Sequence, residues 1–180
     1  MNDDMRFSGS ADEVQRFRAE ALGEPGQRRF RLVVVLNDET YIIWMEKQQM
    51  QALGLAIGQI LEQVPSSGPD IGSGSIPGDI DDATSNQFRL GRVELGFDES
   101  GDSIVIHVYD IQEDESDQGL NMRFTRAQAR DLIRDAAALA AAGRPMCPMC
   151  GQAMEPGGHV CPEQNGHLPL PLDGSLLSED

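Results

Sequence analysis

The chain has 180 residues, with 30 acidic and 14 basic side chains, for a formal charge of −16. That charge repels nucleic-acid backbones and anionic membrane surfaces over a Debye length of about 8 Å, which argues against both as partners. The length and the 39% hydrophobic content suit one domain with a packed core plus an appendage, and no segment approaches the roughly 20 consecutive apolar residues of a spanning helix.

Residues 1–15 begin MNDDMRFSGSADEV, without the cationic and apolar regions of a secretory leader, and are expected to be a flexible N-terminus of a cytoplasmic protein. Over residues 16–64, alternating apolar residues interrupted by Gly23-Glu24-Pro25-Gly26 and by Asn37-Asp38 predict three short strands. Phe30, Leu32, Val34 and Leu36 then share one face, and Trp44, in an apolar strand, is expected in the core. From Glu46 the period lengthens. Met50, Leu53, Ile57, Ile60, Leu61 and Val64 recur at helical spacing until Pro65 stops the run.

Residues 65–86 combine Pro, Gly, Ser and Asp with few large apolar side chains, which predicts a flexible linker. The same order then returns over residues 87–143: the strand QFRLGRVELGF, a DESGD turn, the strand SIVIHVYDI, an acidic loop EDESDQG, the strand LNMRF and the helix TRAQARDLIRDAAALAAAG. The strand-to-helix segments of the two halves match in type at Lys47/Arg126, Gln49/Gln128 and Leu53/Leu132, which suggests an internal repeat. The expected fold is α+β: an antiparallel sheet from two β-β-β-α units, two helices on one face, and a small C-terminal zinc-knuckle segment. Whether the two units form one continuous sheet is open.

All three cysteines fall in the tail, residues 144–167, where Cys147-Pro-Met-Cys150-Gly151 has the spacing of a zinc knuckle. Two thiolates two residues apart sit on one side of a tight turn whose N–H groups point at the sulfurs, and Gly151 permits the turn. Cys161 supplies a third sulfur. The fourth ligand is His159, two residues before Cys161 and on the same side of an extended segment, or else His167, brought back by an Asn165-Gly166 turn. Three thiolates and one imidazole fill a tetrahedral zinc, leave no open position and make a poor Lewis acid, so the expected ion is structural. Residues 168–180 are expected to be disordered.

Other candidates have simpler readings. His107 lies opposite the apolar face of its strand, with no nucleophile or carboxylate at a triad spacing. The acidic loop from Glu113 to Asp117 lacks the alternating ligands of a calcium loop. Lys47 and Arg126, at equivalent helix starts, are the pair that would hold a small anion between the units if the chain were an enzyme or an anion-binding protein. Between Cys147 and His167 the tail carries Glu155 and Glu163 and no Lys or Arg, which argues against a nucleic-acid-binding ribbon.

GEPGQRRF, EKQQMQAL, FRLGRVELGFD, AQARDLIRDAAALAAAGRP and the tail CPMCG…PGGHVCPEQNGH together resemble the bacterial domain-of-unknown-function family 3090, from about residue 16 to 167. The resemblance brings no activity. It implies that the Gly-His-x-Cys-Pro element of the tail is kept while the position of His167 varies, which favours His159 as the fourth ligand. On these grounds the expected function is that of a cytoplasmic interaction or scaffold protein with a structural zinc site and an unidentified protein partner.

Overall fold

Six strands and two helices follow one another in a computed structural model that describes residues 10–24, 26–66, 79–112, 119–142, 147–152, 154, 159–161 and 163. They are β1 (Asp12–Leu22), β2 (Arg29–Leu36), β3 (Glu39–Met45), α1 (Lys47–Gln63), β4 (Gln87–Asp98), β5 (Ser103–Asp110), β6 (Leu120–Thr125) and α2 (Arg126–Ala141). The order is β-β-β-α twice, and the fold is α+β with a mostly antiparallel six-stranded sheet. All eight elements belong to the unit Met1–Ala142, and Gly143–Asp180 forms a second unit.

Local chemistry sets the hairpins. Between β2 and β3 the two turn residues Asn37 and Asp38 have φ of +49° and +64°, left-handed conformations that their short polar side chains tolerate. This turn fixes the register, so that Leu36 faces Glu39 and Phe30 faces Met45. Phe30, Leu32, Val34 and Leu36 all enter the principal core, as the alternation predicts. β1 and β4 each carry a register shift near their start, between Val14 and Arg16 and between Leu90 and Arg92. A bulge at the same place in both halves supports the repeat.

The two halves form one sheet, and it closes. β3 runs parallel to β4, with Trp44 opposite Arg89, and β1 runs parallel to β6, with Glu13 opposite Arg123, which completes a six-stranded barrel. Closure gives every strand a neighbour on both sides. The buried faces of both helices join the strand interior: Met50, Leu53 and Ile57 from α1 and Ala129, Leu132 and Ala136 from α2 lie in one cluster with Ile104, Ile106, Met122 and Phe124. Phe17 meets Phe124 edge-on at 5.5 Å. The helices touch where Gly54 faces Ala136, so closely that a Cβ at Gly54 would stand 3.1 Å from that of Ala136.

β2 is buried on both faces, which requires a second cover. Val33, Val35 and Ile42 point out of the barrel and are capped by Ile80 and partly by Trp44. Residues 79–86, read from composition as the end of the linker, lie along this outer face. Thr84 donates to the Thr40 carbonyl at 2.8 Å, Ile42 N–H to the Asn86 carbonyl at 2.9 Å, and Arg31 reaches Asp82. One apolar residue, Ile80, and a set of hydrogen bonds order a polar segment against a sheet. Residues 67–78 of the expected linker lie outside the described residues.

Candidate metal centre

Cys147, Cys150, Gly151 and Gln152 form a tight turn in which Gly151 N–H donates to the Cys147 carbonyl at 2.9 Å and Cys147 N–H to the Gln152 carbonyl at 2.7 Å. Gly151 has φ of +70°, in the left-handed region expected for it. The turn aims backbone donors at sulfur. The N–H groups of Cys150 and then Met149 hold the Cys147 thiol below its ordinary value. For Cys150 the N–H of Gln152 acts in the same direction, but burial and the sulfurs of Cys161 and Cys147 outweigh it and raise that thiol. Sulfurs crowded together resist ionising in sequence, and a cation at their centre removes the conflict.

The four ligand atoms of Cys147, Cys150, His159 and Cys161 all lie within 4.8 Å of one another. Cys147 Sγ and Cys161 Sγ are 3.9 Å apart, and Cys150 Sγ is 3.1 Å from His159 Nε2. Two metal–sulfur bonds of about 2.3 Å at a tetrahedral angle place their sulfurs about 3.8 Å apart, which is close to the Cys147–Cys161 separation. Cys147 and Cys161 are buried, while Cys150 and His159 are partly exposed. The donor set can therefore hold a metal ion, and zinc is compatible with it. His167 lies outside the described residues.

A family model described as Protein of unknown function (DUF3090) matches residues 10–161. The chain belongs to this family. The matched span contains all eight elements of the barrel unit and all four clustered ligands, ends at Cys161, and stops short of His167. No curated protein and no solved structure matches the chain.

The remaining candidates fall as follows. Lys47 and Arg126 are the first residues of α1 and α2, as the repeat predicts. Arg126, however, is 3% exposed, its Nε donates to Asp102 Oδ1 at 2.7 Å, and its guanidinium lies over Phe97. It serves as an internal tie and is not presented to an anion. His107 is partly buried on the outer face and stacks on Tyr109 at 4.3 Å. Trp44 corrects the expectation of a core position: Ile43 and Met45 point inward, so Trp44 points outward, where Arg29 and Arg31 lie over its ring at 4.2 and 5.4 Å. The acidic loop Glu113–Asp117 lies outside the described residues.

The repeat signal at Gln49 and Gln128 has a purpose that pattern alone did not show. Gln128 Oε1 accepts from the Thr125 N–H at 2.9 Å, capping α2, and its Nε2 donates to the Val14 carbonyl at 2.7 Å. Gln49 caps α1 through the Glu46 N–H at 2.8 Å and donates to the Leu90 carbonyl at 3.2 Å. Each half thus ties its helix start to the bulged first strand of the other half.

Proposed function

We propose that this is a zinc protein whose acidic α+β body carries a tail stapled by Cys147, Cys150, His159 and Cys161, and that it acts as an interaction or scaffold protein in the cytoplasm. The observation that carries this reading is the completeness of the donor set. Three thiolates and an imidazole occupy four tetrahedral positions and leave none for water or substrate, which is the composition of structural zinc sites. A segment this short cannot bury a core of its own, so metal binding supplies its folding free energy. Three cysteines with no disulfide among them suit a reducing compartment, and no described helix is long and apolar enough to cross a membrane.

Native mass spectrometry tests the metal reading: the chain is expected to carry one zinc, and Cys150→Ser is expected to lose it. Retention of the ion by Cys150→Ser, or its absence from the parent, overturns it. The interaction reading is tested by affinity capture with the parent and Cys150→Ser side by side. A defined partner retained by the zinc-loaded chain and lost by the variant supports it, and an identical set of captured proteins counts against it.

A further inference from the structure

Beside the start of α1, where β3 meets β4, the barrel unit carries a cavity of about 380 Å³ lined by Arg29, Trp44, Met45, Glu46, Gln49, Arg89, Leu90 and Ile111. Its volume falls in the range of small-molecule sites. Two cations, Arg29 and Arg89, stand on its wall. Arg31, Arg123, Arg126 and Arg134 each face a carboxylate, whereas Arg29 and Arg89, like Arg16, Arg28 and Lys47, form no ion pair among the described residues; of these five, Arg29 and Arg89 are the two on the cavity wall. In a chain of charge −16, two guanidiniums gathered on one cavity, with no carboxylate paired to either among the described residues, make a local cationic site.

The repeat provides an internal control. The β1–β6 joint is the counterpart of the β3–β4 joint: both are parallel, both precede a helix, and both are tied by a capping glutamine. In register, Trp44 opposite Arg89 corresponds to Arg123 opposite Glu13. Arg29 begins β2 as Ser103 begins β5. The second joint therefore closes the barrel with a serine and a pair of opposite charges. Arg29, Trp44 and Arg89 are not what the fold requires there.

We propose that this cavity binds a small organic oxyanion, a phosphate ester or a carboxylate, held between the guanidiniums of Arg29 and Arg89. Guanidinium forks match the geometry of such oxygens, and Met45, Leu90 and Ile111 give the carbon part of the ligand an apolar surface. Glu46, the one acidic residue on the wall, belongs to the capping box of α1. The Trp44 indole is fixed by its Nε1 donating to Gln87 Oε1 at 2.9 Å and carries Arg29 on its ring, so the ring reports directly on that guanidinium.

Trp44 is the only tryptophan, so its fluorescence reads this site alone. The test titrates the full chain with cyclohexyl phosphate, cyclohexanecarboxylate and inorganic phosphate. The expected result is a saturable change with at least one of the two organic anions, at lower concentration than with inorganic phosphate; the tighter of the two assigns the head group. Arg29→Ser and Arg89→Gln, both at exposed positions, are expected to weaken it roughly tenfold each, while Arg92→Gln, which removes one charge elsewhere on β4, leaves it unchanged. Thermal melting of each variant confirms that it is folded. No saturable change with either organic anion, equal binding of inorganic phosphate, or unaltered titration of both arginine variants overturns the proposal.

Discussion

Gly151 has a left-handed φ of +70°, yet a Cβ built on it would touch nothing within 4 Å, so its substitution is limited by backbone conformation alone. Gly151→Ala is therefore expected to keep the metal site and cost about 1 kcal/mol, roughly a fivefold loss of zinc affinity in a competition titration. On the barrel, Arg31 is held by Asp82 at 2.5 Å and by Glu20, and its hydrogen bond holds the Asp82 carboxyl below its ordinary value of 3.8. A carboxylate with a depressed folded pKa contributes stability that is complete above its unfolded value and is lost as pH falls through the folded one. The window therefore lies below about pH 4. Asp82→Asn is expected to lower the melting temperature at neutral pH and to flatten the parent's loss of stability in that window, as thermal melts across pH will show. Cys147 and Cys150 are legible from spacing because a knuckle turn is local, and Cys161 because it is the one other cysteine of the chain. Asp82 was not, because its partner Arg31 is met only across the outer face of β2.

At the scale of elements, alternation gave the strands and helical spacing gave α1 and α2, since each follows from one face being buried. Trp44 was misplaced because a strand that is apolar on both sides does not announce which side faces inward. Residues 79–86 have the composition of a linker because a single apolar side chain, Ile80, does not stand out among polar neighbours. The matched glutamines were visible as a pattern, but their reach to the opposite half was not. Gln128 is 4% exposed, and its truncation removes its cap on the Thr125 N–H and its buried hydrogen bond to the Val14 carbonyl. Gln128→Ala is expected to cost about 2–3 kcal/mol in denaturant unfolding, and Gln49→Ala, at a partly buried position, about 1 kcal/mol. Equal, negligible losses would show that the glutamines cap their helices without clamping the strands.

Across the whole molecule, the two β-β-β-α halves are joined by short parallel contacts, β3 to β4 and β1 to β6, that turn an expected sheet into a barrel. Such joints have no local sequence signature, because the paired residues come from distant parts of the chain and only a few pairs form. The Cys147, Cys150, His159 and Cys161 cluster is the reverse case, with all four donors inside one short tail and their chemistry written in the spacing. The tail is proposed to hold zinc in a closed site of three sulfurs and one imidazole nitrogen. Zinc X-ray absorption on the purified chain tests it most directly. The expected first shell is three sulfurs at about 2.3 Å and one nitrogen at about 2.0–2.1 Å, with no water oxygen. A shell containing oxygen, fewer than three sulfurs, or no bound zinc at all would contradict it.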